Sequence, residues 1–305
     1  MRVLLAGWFS FEGMGATAGD LMVRDLACEW LSRAGCPYDV ALGVPFDGGV
    51  DWRSINPDAY THICFVCGPF GNVRPLTDFL SRFEHCHLIG LDLSMVDGWN
   101  PFDVLFERDS STLCCPDVAM LAPVKQVPVV GVILCDHVSE YGDRSQHDAA
   151  HDAIQRLIQR RELAAVRIDT RLDRNSTGLR TAAEIENMIS RMDIVVTTRL
   201  HGTVLAIKSG VPPVVIDPIV GLGKISAQVR ALGWRVALDM TTLNDRSLET
   251  AFDYCLTPQA RTEAVACRNR AIGQLNRVQE NFILELTRLR EATSTKAKSA
   301  AAAGL

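Results

Sequence analysis

An arginine and a histidine stand at alternate positions in Thr198-Arg199-Leu200-His201-Gly202. A guanidinium clamps carboxylate or phosphate oxygens through parallel N–H donors. An imidazole titrates near neutral pH, so it gives or takes a proton with little tuning. The flanking residues say where the pair sits. Ile194-Val195-Val196 is a β-branched run, as in a strand covered on both faces. Leu200, Val204 and Ile207 then recur at helical spacing, with Thr198 placed to cap the helix. Gly210 and Pro212-Pro213 end it, and Val214-Val215-Ile216 supplies the next strand. The unit is βαβ, and its polar residues fall at the carboxyl end of a strand, where open α/β sheets bind ligands. With the N–H groups of a helix start, they suit an anionic, phosphorylated ligand. The same residues also admit a structural use: Arg199 pairing with a carboxylate of the fold, and His201 satisfied by a local hydrogen bond.

Other reactive side chains are spread more thinly. Cys64-Phe65-Val66-Cys67 is a lone CxxC inside an apolar run. Read as strand, it points Cys64 and Val66 to one face and Phe65 and Cys67 to the other. A zinc site would need a second ligand pair, and Cys114-Cys115 lacks the spacing. His85 and His87 alternate across Cys86 and form a minor metal candidate. His147 and His151 also have ligand spacing, but Asp143, Asp148 and Asp152 around them point to a solvated polar face. His137 follows the strand Val132–Leu134 and is a candidate ligand contact. Asp20 opens a predicted helix, where its charge suits either the helix dipole or a ligand. Lys224, at another helix start, is either a point charge for an anion or a solvated lysine. No metal and no cofactor is expected.

These residues need a scaffold, and 305 residues suffice for two domains with full cores. The chain is 48% hydrophobic and 22% charged, as in soluble globular proteins. A net charge of −5 argues against a nucleic-acid protein, which needs a basic footprint. No apolar run approaches a membrane span. Met1 to Gly7 reads as a first strand and not a secretory signal, because the apolar stretch is short and Glu12 and Asp20 follow it. With ten cysteines taken as reduced, the expected location is the cytoplasm.

Strands are predicted at Val3–Ala6, Asp39–Leu42, His62–Val66, Leu88–Leu91 and Val104–Phe106. Helices between them begin near Leu21 and Leu76, and small-residue loops lie at Gly13–Asp20 and Gly68–Gly71. After Ala122–Pro128 the alternation restarts, with strands at Val129–Leu134, Ala165–Ile168, Ile194–Val196, Val214–Ile216 and Arg235–Leu238. Helices are predicted near Asp148–Arg161, Ala182–Met192 and Lys224–Leu232. The expected organisation is an N-terminal Rossmann-like domain over 1–124, a second over 125–258, a long charged helix over 259–292 and a disordered tail over 293–305. The two α/β domains are expected to face each other across a cleft.

Four segments, spread over the chain up to about Trp234, resemble the polysaccharide pyruvyl transferases. The first is the Gly-rich loop ending Gly19-Asp20, with Thr17 where the family usually has Asn. The second is Glu107-Arg108-Asp109-Ser110-Ser111, similar to an Arg-Asp-x-x-Ser element with one residue fewer before a serine. The third is Pro116-Asp117-Val118-Ala119, with Val118 in place of Pro. The fourth and most specific is Thr198-Arg199-Leu200-His201-Gly202, continuing to Gly210-Val211-Pro212 and then Lys224. Gly68-Pro69-Phe70-Gly71 sits where the family often has a Gly-Gly loop that floors the cleft.

The resemblance implies a GT-B-like fold and transfer of the pyruvyl group of phosphoenolpyruvate to sugar hydroxyls, giving a pyruvate ketal and phosphate. It implies polysaccharide biosynthesis, with exopolysaccharide precursors, secondary cell-wall polymers or lipid-linked oligosaccharides as acceptors. Arg199 and His201 are then the expected catalytic pair, His201 acting as general acid or activating the acceptor hydroxyl. Asp20, Gly19, Gly68, Arg108, Thr198, Gly202, Lys224 and His137 are the expected substrate contacts. The first domain is expected to take the acceptor and the second the donor. Three alternatives stay open: a GT-B glycosyltransferase with a nucleotide-sugar donor, where Asp217 is the candidate ribose acceptor; a non-catalytic member; and a member redirected to a small-molecule acceptor. The long helix either crosses back to the first domain or mediates self-association.

Overall fold

The structure, a computed structural model, describes residues 1–110, 113–135, 139–221 and 223–303. His137 and Ser111 lie outside the described residues. The chain divides into two compact units, Met1–Lys125 and Gln126–Leu305.

The first unit runs β1 (Val3–Gly7), α1 (Ala18–Arg33), β2 (Tyr38–Val40), β3 (His62–Val66), β4 (Pro69–Phe70), α2 (Leu76–Arg82), β5 (His87–Met95) and β6 (Val104–Asp109). Its pairings are all parallel, in the order β2-β1-β3-β5, and β4 and β6 both pair with β5. The period of two sorts the side chains. Val3 and Leu5 pack with Val23 and Ala27 of α1, while Leu4 and Ala6 pack with Phe79 and Leu80 of α2. With both faces covered, the strands read as unbroken apolar runs. Cys64 and Phe65 go to opposite faces as the alternation predicts. Cys67 does not join Phe65. Its φ of 63° ends the strand in the left-handed region, so its side chain packs on the α1 face and its thiol donates to Asp92 Oδ2 at 3.6 Å.

The second unit runs β7 (Val129–Ile133), α3 (His147–Arg160), β8 (Ala164–Arg167), α4 (Ala182–Ser190), β9 (Ile194–Thr197), α5 (Leu200–Lys208), β10 (Pro213–Asp217), α6 (Lys224–Leu232), β11 (Ala237–Asp239), α7 (Asp245–Cys255) and α8 (Pro258–Ala303). Its sheet is parallel throughout, in the order β11-β10-β9-β7-β8. Val130, Val132, Ile194 and Val196 share one core with α3, α6, α7 and the start of α8. Ile133 and Val195 face α4 and α5 on the other side. The chain steps outward from β7 to β8, then returns to place β9 on the other flank of β7. The topological switch point therefore lies between β7 and β9, and the corresponding point of the first unit lies between β1 and β3.

Three elements differ from the sequence reading. Helix α7 is not anticipated there, and α8 continues as helix through Ala303, where a structureless tail is expected from 293. Strand β4 falls inside the predicted loop Gly68–Gly71. Among the described residues no helix is long and apolar enough to cross a membrane.

Candidate functional site

Each switch point carries a cavity. The one in the second unit has a volume of about 500 Å³, within the range of pockets that enclose small molecules. Its walls are loops leaving the carboxyl ends of four neighbouring strands: Cys135 after β7, Thr170 and Arg171 after β8, Thr198 to His201 after β9, and Pro218 and Ile219 after β10. Lys224 at the start of α6 and His147 at the start of α3 complete the lining. Four of the expected catalytic and substrate-contact residues, Thr198, Arg199, His201 and Lys224, thus line one cavity, together with Asp217.

Arg199 is the N-cap of α5, and no side chain caps this helix. Thr198 is not the cap. Its hydroxyl accepts the N–H of Cys135 at 2.9 Å, tying the β7 and β9 ends together across the switch point. The β9 terminus is pinned by Thr197, whose hydroxyl donates to the Ile133 carbonyl at 2.8 Å and accepts the Arg199 N–H at 3.0 Å. The first-turn N–H groups of α5, which no helix can satisfy internally, open the helix beside the guanidinium.

The Arg199 guanidinium is half committed. Nη1 donates to Thr170 Oγ1 at 3.2 Å and lies 3.5 Å from Asp169 Oδ1. Nε is buried and, among the described residues, has no hydrogen-bond partner. Leaving such a donor unsatisfied costs about 1–3 kcal/mol or more when it is charged. Asp169 does not depend on Arg199 for its place. It accepts the N–H groups of Arg171 and Ser176 at 2.9 and 3.0 Å and the Ser176 hydroxyl at 3.2 Å. Burial would raise its pKa, but these hydrogen bonds and the Arg199 charge outweigh burial and hold it below the usual carboxylate range.

Gly202 serves a different purpose from the one expected. It does not line the cavity but lies where α5 crosses the sheet. A Cβ there would strike Thr197 Oγ1 and come within 2.9 Å of Ile133 Cγ2. Asp217 is also spoken for. Its carboxylate is 1% exposed and accepts the N–H groups of Ile219, Gly223 and Ser226 and the Ser226 hydroxyl at 2.6 to 3.2 Å. It therefore holds the β10–α6 loop and is not free to take ribose hydroxyls.

Sequence reasoning missed Thr170, Arg171 and His147. The first two stand immediately beyond β8, where the carboxyl-end rule points. His147 has ligand spacing with His151, but the aspartates around it read as a solvated polar face. It is 2% exposed, not on a solvated face, and its Nδ1 meets Ser145 Oγ at 2.7 Å. The pairing of Ser145 with Ile219 brings that segment to the cavity.

The first unit's cavity, about 470 Å³, is lined by Trp8, Gly19, Asp20, Gly68, Arg108 and Asp117 among others, which brings together four residues the sequence proposes. Asp20 closes a reciprocal cap on α1: its Oδ2 accepts the Thr17 N–H at 2.7 Å and the Thr17 hydroxyl at 2.6 Å. Thr17 is thus a cap, as its Asp20 partner requires. Arg108 donates to Asp117 Oδ2 at 2.7 Å and to Ser94 Oγ at 2.6 Å, so its charge is already paired. Gly68 has a φ of 81°, and a side chain there would collide with the Trp8 indole.

The CxxC thiols are unsuited to redox work. Burial pushes Cys64 up to about 12 and, with the Asp92 charge, pushes Cys67 higher still. His87 lies 3.5 Å from Asp103, and its ring centroid is 5.3 Å from that of His62 with the planes tilted by 38°. Among the described residues no group of three or more His, Cys, Asp or Glu side chains is placed to hold a metal ion.

The polysaccharide pyruvyl transferase family model matches residues 107–218, which hold three of the four resembling segments up to Gly210-Val211-Pro212. No curated protein matches the chain. Among solved structures, the chain is similar to spinosyn rhamnosyltransferase SpnG complexed with thymidine diphosphate, at 12% identity over 92% of this chain and 100% of that one, with a TM-score of 0.33. It is similar to spinosyn forosaminyltransferase SpnP at 12% identity over 91% and 99% of the two chains, with a TM-score of 0.31.

Proposed function

We propose that this chain transfers the pyruvyl group of phosphoenolpyruvate to two hydroxyls of a sugar, forming a pyruvate ketal and releasing phosphate. The observation that carries the reading is the buried Nε of Arg199, which has no partner among the described residues, beside a start of α5 that carries no side-chain cap. A donor carrying both a carboxylate and a phosphate supplies the acceptor oxygens this arrangement lacks. The family match over 107–218 supports the same chemistry.

The reaction begins with a proton delivered to the methylene carbon of the enol. The adjacent carbon becomes electron-poor, and a sugar hydroxyl adds to it and loses its proton. The carbon–oxygen bond to phosphate then breaks, phosphate leaves with that electron pair, and a second hydroxyl adds and loses its proton to close the ketal. One proton stays in the new methyl group and one leaves with the phosphate side of the balance. His201, exposed on the rim of the cavity, serves as the general acid or activates the acceptor. Arg199 clamps the anion, and Lys224 adds a point charge at the α6 start.

The charges of the two cavities support a division of labour. The second unit's cavity presents Arg199 and Lys224, with Arg171 paired to Asp173, and suits the anionic donor. The first unit's cavity presents Asp20 and Asp117 with Arg108 neutralised by Asp117, and suits a hydroxyl-rich, uncharged acceptor. Calorimetry with phosphoenolpyruvate and a panel of nucleotide-sugars tests the reading. Phosphoenolpyruvate should bind wild type, weaken with Arg199→Lys and weaken further, by roughly 10- to 100-fold or more, with Arg199→Ala. Selective binding of a nucleotide-sugar would overturn it.

A further inference from the structure

We propose that α8 joins two copies of this chain as a parallel two-stranded coiled coil over Ile272 to Thr293. The helix starts inside its own unit: Ala260, Ala264 and Cys267 are buried in the second-unit core, and Ala271 packs against the same cluster. Beyond that point Ile272, Leu275, Val278, Phe282, Ile283, Leu286 and Leu289 are each at least 50% exposed. A run of large apolar side chains left in water marks an interaction surface.

The spacing says what kind of surface. Leu275, Phe282 and Leu289 recur at every seventh residue, and so do Ile272, Gln279 and Leu286. The two series interleave as the a and d positions of three heptads, with Gln279 as one polar a residue of the sort that fixes register. Leu284 alone among the exposed apolar residues of this stretch falls at an outer position, f.

The flanking positions identify the occupant as a second copy in parallel. There a g residue faces the e residue of the other helix's following heptad. Val278 then meets Ile283 of the other copy, an apolar pair, and Glu285 meets Arg290, an opposite-charge pair formed twice by symmetry. Antiparallel pairing sets g against g and puts Glu285 beside Val278. In the single chain Glu285 lies 3.6 Å from Arg288 in an exposed pair, which is cheap to exchange.

Light scattering over a concentration series tests the proposal on the full chain. Wild type should approach twice the 33.5 kDa chain mass. Phe282→Glu with Leu289→Glu should give a monomer with an unchanged thermal transition of the unit core, since both side chains are already exposed. Glu285→Arg should weaken the dimer roughly tenfold by turning two interhelical pairs repulsive, and adding Arg290→Glu should restore it. A monomeric wild type would overturn the proposal, as would a dimer that survives the double glutamate variant. A dimer indifferent to Glu285→Arg, or not restored by Arg290→Glu, would overturn the parallel register.

Discussion

Arg199 reaches Asp169 at 3.5 Å through Nη1, while its buried Nε has no partner among the described residues. The pair links the loop after β8 to the start of α5, yet the contact is long for a hydrogen bond. Asp169 is fixed instead by Arg171 and Ser176. The sequence admits either a structural or a ligand-binding use for Arg199, and the geometry gives Nη1 a structural partner while leaving Nε without one among the described residues.

Because the Asp169 loop stands without Arg199, Arg199→Ala should fold normally and lose anion binding. A charged hydrogen bond contributes about 1.5–3 kcal/mol, so affinity for phosphoenolpyruvate should fall by roughly 10- to 100-fold or more. Arg199→Lys keeps the charge but not the planar fork, and should fall between. Calorimetry against a matched thermal melt separates binding from folding. Equal affinity in wild type and Arg199→Ala would remove the anion-clamp role.

Much of this geometry was legible in the residues. The β-branched runs of β7, β9 and β10 and the Arg-Leu-His-Gly junction located the second cavity, because a buried parallel strand and the helix after it leave strong local signals. What stayed hidden depends on tertiary placement. His147 reaches the cavity through the Ser145–Ile219 pairing, which no local pattern encodes. Thr198 looks like a cap, but a neighbouring strand end claims its hydroxyl. Cys67 looks like a strand residue until a left-handed φ turns it. Helix α7 did carry signals: Asn244 and Ser247 exchange cap bonds at 2.9 Å, and Leu248, Ala251, Phe252 and Cys255 are buried at helical spacing. Its polar lead-in, Thr241-Thr242-Leu243-Asn244-Asp245, reads as a loop continuing from β11.

The pH dependence of stability follows from Asp169. Its pKa is lower in the folded protein than the ordinary aspartate value near ~3.9. The folded state therefore binds fewer protons there than the unfolded chain. The stabilisation is complete above the ordinary value and is lost as pH falls through the depressed one. Asp169→Asn should lower the melting temperature at neutral pH and flatten its fall as pH drops below the ordinary aspartate value. A variant whose acid profile parallels wild type would show that Asp169 contributes nothing to acid sensitivity.

The Thr17–Asp20 cap predicts a coupling in the first unit. Removing either side chain, by Thr17→Ala or Asp20→Ala, should cost about 0.5–2 kcal/mol. Because the two share the same hydrogen bonds, the double variant should cost less than the sum of the singles. Urea denaturation of the four proteins in the cycle measures the difference. Strict additivity would mean that the cap bonds are not formed together in solution.

Gly202→Ala tests the contact that seats α5 on the sheet. The added methyl would strike Thr197 Oγ1 and crowd Ile133 Cγ2 at 2.9 Å. Thr197 cannot yield freely, because its hydroxyl bridges the Ile133 carbonyl and the Arg199 N–H. Overpacking of this kind costs about 1–3 kcal/mol, and relief would come by lifting the helix start that carries Arg199 and His201. The expected outcome is a lower melting temperature together with weakened phosphoenolpyruvate binding, although Gly202 touches no cavity surface. Stability lost with binding intact would show that the helix start holds its place independently of this contact.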